Sequence, residues 1–155
     1  MIRILFVCHG NICRSPMAEF VFKSMVKDRG LSDQFLIASA ATSAEELGNP
    51  VHRGTKKLLA ALGISTAGKV AIRLHISDYQ KYDFIIGMDG NNLRNMLRLF
   101  GSDPNKKLHL LLDYTRRPGN IADPWYTDDF EATYRDVSEG CEGLLQDLAR
   151  RGRLR

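Results

Sequence analysis

The chain has 155 residues, of which 44% are hydrophobic and 26% charged, and its formal net charge is +4. This length suits one domain, and the balance of apolar and charged residues excludes a disordered, collagen-like or coiled-coil chain. No apolar stretch approaches the ~20 residues that a membrane span needs. Three cysteines leave one unpaired in any disulfide scheme, so we expect a cytoplasmic protein with reduced thiols.

Much of the positive charge lies in the last six residues, 150–155, where four are arginine. We expect this segment to be a frayed basic tail. Without it the chain is close to neutral, so the charge does not indicate nucleic acid as a partner. We expect no membrane partner either, and the sequence leaves the oligomeric state open.

Apolar runs alternate with helical patterns along the chain. The runs predict strands at 2–8, 35–41, 84–88 and 107–112. The helical spacing predicts helices at 16–27, 55–62, 77–81, 91–100 and 130–150, with a long loop over 113–127. Ser15 is the expected N-cap of the first helix, and Gly30 follows its last turn.

Strands that alternate with helices favour right-handed crossovers and a parallel sheet. We therefore predict an α/β fold: a single doubly wound domain over 1–155, with a four-stranded parallel sheet and helices on both faces. In such sheets ligands bind beyond the carboxyl ends of the strands. The residues that follow the first strand are thus the first candidates for chemistry.

The segment after the first strand has the composition of an anion-binding loop. A tight turn into a helix directs successive backbone N–H groups inward, and the helix N-terminus adds donors and partial positive charge. Gly10 and Asn11 can adopt the left-handed backbone angles of such a turn. Arg14 supplies a planar fork for two phosphate oxygens. The predicted phosphate-binding loop consists of Cys8, His9, Gly10, Asn11, Ile12, Cys13, Arg14 and Ser15.

Cys8 lies at the base of this loop, where the field that binds an oxyanion also stabilises a thiolate. Ser15 can donate a hydrogen bond to its sulfur. The arrangement suits in-line attack on phosphorus through a phosphocysteine intermediate. A buried structural thiol is the alternative reading of Cys8. A metal site is disfavoured because there is no second ligand pair at zinc-like spacing, and a nucleotide P-loop because the G-K-[ST] ending is missing.

Transfer of a phosphoryl group also needs an acid for the leaving oxygen. The best candidate is Asp123, which lies in the long loop after the fourth strand. Pro124 stiffens that loop, and Trp125 and Tyr126 follow it. These two aromatic residues either form a wall for a flat substrate or belong to the core, and the composition does not decide between the two.

The segment C-x-G-N-I-C-R-S-P at Cys8–Pro16, together with the distant Asp-Pro-aromatic-aromatic loop, resembles the low-molecular-weight protein tyrosine phosphatase family. The resemblance covers nearly the whole chain. It implies an enzyme without metal or cofactor, with Cys8 as nucleophile, Arg14 as phosphate clamp and Asp123 as general acid and then base. It also implies that Asn11, Ser15 and Ser39 support the loop. Its substrates would be phosphotyrosine-containing proteins or small aryl phosphates.

Position 12 distinguishes branches of this superfamily. Ile12 resembles the phosphotyrosine-type members, whereas phosphoarginine phosphatases carry threonine there. Arsenate reductases of this fold need two more cysteines after the third strand, and residues 72–100 contain none. Phosphoarginine hydrolysis stays as the alternative activity. A non-catalytic phosphoprotein-binding domain is less favoured, because a binding domain needs neither the thiol nor the acid.

Two further positions bear on substrate preference and redox behaviour. Glu45 occupies a position where many members carry tryptophan, so the predicted substrate wall consists of Ile12, Glu45, Trp125 and Tyr126. Cys13 could trap an oxidised Cys8 as a disulfide. A small residue packed under the loop is an equal alternative for Cys13.

Overall fold

The computed structural model describes all 155 residues, Met1–Arg155. Four strands alternate with six helices, as the hydrophobic pattern predicts. The strands are β1 (Ile2–Cys8), β2 (Phe35–Ala41), β3 (Phe84–Gly87) and β4 (Leu108–Leu110). The helices are α1 (Arg14–Asp28), α2 (Arg53–Ala61), α3 (Asp78–Lys81), α4 (Gly90–Phe100), α5 (Pro124–Thr127) and α6 (Phe130–Arg150). No helix is both long enough and apolar enough to cross a membrane.

The strands form one sheet in the order β2-β1-β3-β4, and every pair is parallel. In the register, Ile4 of β1 lies beside Ile37 of β2 and beside Phe84 of β3. The chain winds outward from β1 to β2 and then returns to the other side of β1. The carboxyl end of β1 is therefore the point where the strand order reverses, which is where open α/β sheets bind ligands. Cys8 is the last residue of that strand.

The two faces of the sheet are covered by different helices, as predicted. Alternate side chains of β1, Ile4 and Phe6 among them, pack against α1 and α6 in the larger core. Leu5 and Val7 point to the opposite face and pack in a smaller core with residues of α3 and α4. Because β1 is buried on both faces, its sequence is a nearly continuous apolar run.

The first helix begins two residues earlier than predicted, and its N-cap is Cys13 rather than Ser15. Ser15 is inside the helix because its hydroxyl is engaged elsewhere, with the Cys8 sulfur and the Asn11 amide. The expected N-cap role of Ser15 is thus wrong, although the helix itself is confirmed.

The fourth strand is shorter than predicted and ends at Leu110, where a 3₁₀ turn over Leu111–Tyr114 begins. The Asp113 carboxylate accepts a hydrogen bond from the Leu110 N–H at 3.2 Å, which favours the turn over further pairing. This turn packs closely on α6. A Cβ at Gly140 would lie 2.4 Å from Leu111, and one at Gly143 would lie 2.1 Å from the Tyr114 carbonyl oxygen. Two glycines inside the long helix therefore permit the contact.

The last six residues make specific contacts, whereas we expected them to fray. Leu154 packs against the larger core, and the Arg153 guanidinium lies 5.6 Å from the centre of the Phe84 ring. The backbone N–H of Arg155 donates to the Gln34 side chain at 2.8 Å, and that side chain donates back to the Arg155 carbonyl at 2.9 Å. A partly buried leucine and two hydrogen bonds of the Arg155 backbone hold the segment in place. The prediction of a frayed tail rested on the charge of the segment and took no account of these contacts.

Candidate active site

The loop between β1 and α1 curls around the sulfur of Cys8. The backbone N–H groups of Asn11 and Ser15 point at this sulfur from 3.3 and 3.4 Å, and the Ser15 hydroxyl lies 3.0 Å away. All three residues are buried. Donors arranged in this way stabilise negative charge that forms on a sulfur during attack or departure. Loop 8–15 therefore forms a cup with a nucleophilic atom at its base.

One residue of the cup has the left-handed backbone that the sequence suggested. Asn11 has φ +58°, whereas Gly10 does not have a positive φ. The expectation for Gly10 is thus wrong. A Cβ there would lie 3.4 Å from the Glu46 side chain, which is an ordinary contact distance.

The Asn11 side chain links the cup to the sheet behind it. Its amide nitrogen donates to the Ser15 hydroxyl at 2.8 Å and to the Ser39 hydroxyl at 2.9 Å. Its amide oxygen accepts from the Ile72 N–H at 3.1 Å, which fixes the orientation of the amide. Because the Ser15 oxygen accepts from Asn11, its own proton is free to point at Cys8. Asn11, Ser15 and Ser39 are therefore placed where the sequence analysis expected loop support.

The far end of this chain of hydrogen bonds is Glu19, which the sequence analysis missed. The Ser39 hydroxyl donates to the buried Glu19 carboxylate at 2.6 Å. Lys23 contacts the same carboxylate at 2.6 Å, and Lys69 lies 3.6 Å from it. A carboxylate can only accept, so Ser39 must donate to Glu19 and receive from Asn11. Glu19 thus sets the direction of the Ser39 proton and the Ile72 N–H sets the orientation of the Asn11 amide, and together they leave the Ser15 proton directed at the Cys8 sulfur.

Lys69, which lies three residues before Ile72 in the sequence, contacts the residues at the Glu19 end of these hydrogen bonds. Its ammonium group donates to the Ser39 carbonyl at 2.8 Å, and only 12% of its side chain is exposed. Burial lowers the pKa of Lys69, and the charge of Glu19 opposes that shift. A signal for Glu19 was present in the sequence. It follows Ser15 by four residues and so lies on the same face of α1. Nothing in the sequence pointed to Lys69, which is 50 residues further along the chain from Glu19.

Arg14 is held rigidly at the first position of α1. Its guanidinium donates to the Asp89 carboxylate at 2.6 Å, to the Ile121 carbonyl at 3.0 Å and to Asp123 at 3.4 Å. Burial acts to lower the pKa of Arg14. The negative charge of Cys8 and the two carboxylates outweigh burial and raise that pKa. Arg14 therefore stays charged beside the sulfur.

Asp89 is a second residue that the sequence analysis assigned no role of its own. Its carboxylate caps α4 by accepting from the Asn92 N–H at 2.8 Å, while its other oxygen binds Arg14. The Asn92 side chain completes a capping box by accepting from the backbone of Asp89. The spacing Asp-x-x-Asn before a helix was the available signal. Asp89 thus ties the orientation of the guanidinium to the start of a helix.

Asp123 lies opposite the cup and caps the short helix α5, which interrupts the predicted long loop. Its carboxylate accepts from the Trp125 N–H at 3.1 Å. Trp125 is 57% exposed and Tyr126 is 83% exposed, so neither belongs to the core. The core alternative for these two residues is therefore wrong, and their role as a substrate wall stays a prediction.

His52 contacts Trp125, and no sequence pattern pointed to this contact. Its ring meets the indole edge-on at 5.8 Å between centroids and stacks on Phe130 at 5.2 Å. Its Nδ1 accepts from the Gly54 N–H at 3.0 Å, and its backbone N–H donates to the Ile12 carbonyl at 2.8 Å. The start of α2 thus connects the cup to the aromatic wall.

The cup and the wall enclose a cleft of about 110 Å³. Ile12 lines it but is buried, and His9 at the rim bonds Glu45 at 3.0 Å. All four residues of the predicted substrate wall and all three predicted catalytic residues line this one cleft. Its lining consists of Cys8, His9, Gly10, Ile12, Cys13, Arg14, Glu45, Glu46, Asp123, Trp125 and Tyr126.

Cys13 differs from Cys8 in its surroundings. It is buried in a small apolar cluster with Ile12 and Ala71. Burial, together with the charges of Cys8 and Asp123, raises the pKa of Cys13 to about 12. Cys13 is therefore a neutral thiol near pH 7, and the two cysteines of the cup are chemically distinct.

The geometry suits attack on a tetrahedral oxyanion ester. The Cys8 sulfur faces two backbone N–H groups and a hydroxyl. A guanidinium beside it can bind two oxygens, and a carboxyl group opposite can exchange a proton with the leaving oxygen. Flat aromatic surfaces border the entrance.

Comparison with known proteins agrees with this chemistry. A family model described as low molecular weight phosphotyrosine protein phosphatase matches residues 3–154. The chain is 36% identical over 156 residues to the low molecular weight protein-tyrosine-phosphatase YfkJ of Bacillus subtilis, covering 99% of this chain and 100% of that one. The crystal structure of YfkJ superposes with a TM-score of 0.93 at 37% identity, over 97% of this chain and 96% of that chain.

Two further solved structures are informative. The low molecular weight protein tyrosine phosphatase SP-PTP of Streptococcus pyogenes has a TM-score of 0.86 at 44% identity, covering 96% of this chain and 93% of that chain. A drosophila arginine phosphatase has a TM-score of 0.85 at 32% identity, covering 94% of this chain and 97% of that chain. The same fold thus occurs in proteins named for two different phosphorylated side chains.

Proposed function

The chain belongs to the low molecular weight phosphotyrosine protein phosphatase family and is a cysteine-dependent protein tyrosine phosphatase; on that premise we propose the roles of its site residues. Cys8 is the nucleophile, Arg14 binds the phosphoryl oxygens, and Asp123 is the acid and then the base. The observation that carries this assignment is the Cys8 sulfur, which receives three hydrogen bonds at the base of a cup that Arg14 and Asp123 also line.

In the first step the phosphate monoester enters the cup, and its oxygens take the inward N–H groups and the Arg14 guanidinium. The Cys8 thiolate attacks phosphorus in line with the ester bond. The sulfur–phosphorus bond forms as the phosphorus–oxygen bond to the tyrosine breaks. The protonated Asp123 carboxyl gives its proton to the leaving phenolate oxygen, so tyrosine departs neutral and Asp123 is left as a carboxylate.

In the second step Asp123 acts as the base. Its carboxylate takes a proton from a water molecule, and the water oxygen attacks phosphorus as the sulfur–phosphorus bond breaks. Inorganic phosphate leaves, and Cys8 returns to the thiolate. The Ser15 hydroxyl, directed at the sulfur by Asn11, stabilises the negative charge that returns to it.

The walls of the cleft favour a flat aryl group, so the proposed substrates are phosphotyrosine-containing proteins and small aryl phosphates. Trp125 and Tyr126 expose ring surface at the entrance, and Ile12 presents an apolar side chain inside. Glu45 stands where an aromatic residue is common in the family, and its carboxylate bonds the His9 ring at 3.0 Å. The wall on that side of the cleft is therefore polar.

We also propose that residues 1–155 work as one domain in a reducing, cytoplasmic setting. The three cysteines are free, buried and without a disulfide partner. Such a setting keeps Cys8 reduced, as attack requires. Cys13 remains a proposed redox partner for an oxidised Cys8.

The alternative activity is phosphoarginine hydrolysis, and the likeness to the drosophila arginine phosphatase motivates testing it. The decisive experiment compares kcat/KM on matched phosphotyrosine and phosphoarginine peptides, with Cys8→Ser as the control. Fast phosphotyrosine turnover that Cys8→Ser abolishes is the expected result. A preference for phosphoarginine would overturn the assignment of Ile12. Tight phosphopeptide binding without turnover would instead indicate a binding domain.

A further inference from the structure

A second groove opens beside the active-site cleft and shares its rim. It lies between the loop after β2, the segment at 73–74 and the second half of α4, and its volume is about 900 Å³. His9 and Glu45 line both the groove and the cleft. His9 directly follows Cys8 in the sequence. The part of a peptide substrate that leaves the cleft beside His9 and Glu45 therefore enters the groove.

The groove is positively charged. Arg73 and Arg98 line it, both are exposed, and neither takes part in an ion pair. Arg98 donates only to the neutral Asn95 side chain, at 3.0 Å. The single acidic residue of the lining is Glu45, whose carboxylate is already bonded to His9. Two guanidinium groups thus face a groove that holds no free carboxylate.

Between the charges the groove presents apolar surface. Leu74 is buried in its floor, and Leu99 at its edge is 39% exposed. An extended peptide advances about 3.3 Å per residue and turns alternate side chains to one face. An apolar floor with guanidinium groups beside it therefore suits an extended segment that carries carboxylates a few residues from the phosphorylated side chain.

We propose that this groove binds acidic residues of phosphotyrosyl substrates through Arg73 and Arg98, and so selects substrates with acidic flanks. The inference rests on the proposed function of the neighbouring cleft and specifies its substrate class. Arg73 and Arg98 act on recognition alone, because neither lines the cleft in which the phosphoryl group is transferred.

The test measures kcat/KM on phosphotyrosyl peptides that carry three aspartates before or after the phosphotyrosine, and on matched peptides with asparagines. We expect the kcat/KM of the wild type to be about threefold to tenfold higher on one of the acidic peptides than on its asparagine counterpart, because two exposed ion pairs contribute about that much. The difference should disappear at high salt. The double variant Arg73→Glu/Arg98→Glu should lose or invert it. Its kcat/KM on p-nitrophenyl phosphate, which does not reach the groove, should be unchanged.

Arg94→Glu is the matched control. Arg94 lies one turn before Arg98 on α4, is exposed, bonds Asn91 and does not line the groove. It makes the same charge reversal on the same helix as the Arg98→Glu half of the double variant, and it should keep the acidic preference. Equal rates on acidic and neutral peptides in the wild type would overturn the proposal, as would an unchanged preference in the double variant or an equal loss in Arg94→Glu. Failure to hydrolyse any phosphotyrosyl peptide would instead refute the proposed function.

Discussion

Replacing Glu19 by glutamine tests whether a buried carboxylate sets the direction of the hydrogen bonds that end at Cys8. Ser39 donates to Glu19 at 2.6 Å because a carboxylate can only accept. Glutamine has nearly the same size but can also donate. When the glutamine NH2 faces Ser39, the Ser39 proton is left against the Asn11 NH2, which can only donate. This repulsion displaces the Asn11 amide, and the Ser15 hydroxyl loses the partner that directs its proton at the sulfur.

The expected loss of stability follows from the burial of the three charges. The side chains of Glu19, Lys69 and Lys23 are 6%, 12% and 44% exposed. Removing one member of a fully buried ion pair costs about 3–5 kcal/mol. Lys23 reaches solvent and Lys69 keeps its bond to a carbonyl, so we expect about 2 kcal/mol in the free energy of unfolding. For a chain of this length Tm should fall by roughly 4–8 °C.

The expected loss of activity is separate from the loss of stability. A hydrogen bond to a charged group contributes about 1.5–3 kcal/mol, and losing about half of that at the sulfur slows kcat by roughly tenfold. KM for an aryl phosphate should change little, because Arg14 and the backbone donors still bind the phosphate. The rate of alkylation of Cys8 by iodoacetamide should be measured as a function of pH, at a temperature well below the Tm of both proteins. Glu19→Gln should need a higher pH than the wild type to reach the same rate.

Lys23→Met is the matched control, because it also removes a charge from the same carboxylate. Lys23 is exposed and does not touch Ser39, and an i,i+4 pair of this kind contributes about 0.2–0.5 kcal/mol. Its kcat and its alkylation profile should match the wild type. The reasoning is refuted if Glu19→Gln lowers Tm without changing kcat or alkylation, or if Lys23→Met loses as much activity.

Three further predictions concern single positions. Asp123→Ala should slow phosphotyrosine hydrolysis by about 10²–10⁴ and an activated aryl phosphate much less, and equal losses would remove Asp123 from the acid role. Iodoacetamide near pH 7 should label Cys8 and spare Cys13, whose pKa burial and neighbouring charge raise to about 12; peptide mapping that finds both labelled at similar rates would contradict this. Gly54→Ala would put a Cβ 2.4 Å from the Phe130 ring, so urea unfolding should show a loss of about 1–3 kcal/mol, and an unchanged midpoint would refute the contact.

The elements and the cup could be predicted because they depend on local patterns. β1 is a continuous apolar run, and the loop after it carries a thiol, a left-handed asparagine and an arginine at fixed spacing. Parallel topology then places the end of β1 at the switch point of the sheet. Cys8 and Arg14 follow from these rules without any knowledge of distant contacts.

The parts that could not be predicted depend on contacts between distant segments. Lys69 approaches Glu19 and the Ser39 carbonyl only after the chain has crossed behind the cup, and His52 meets Trp125 across 73 positions of sequence. Ser15 was misassigned for a related reason. A serine before a helix is an ordinary N-cap, and only the sulfur beside it redirects the hydroxyl.

The most direct test of the central claim is to trap the phosphorylated enzyme. Asp123→Ala lacks the base for the second step, so an activated aryl phosphate should load the protein faster than water can clear it. Acid quenching followed by mass spectrometry should find one phosphate, attached to Cys8, and none when Cys8→Ser is added. Phosphate on another side chain, or turnover that persists without the Cys8 thiol, would contradict the account.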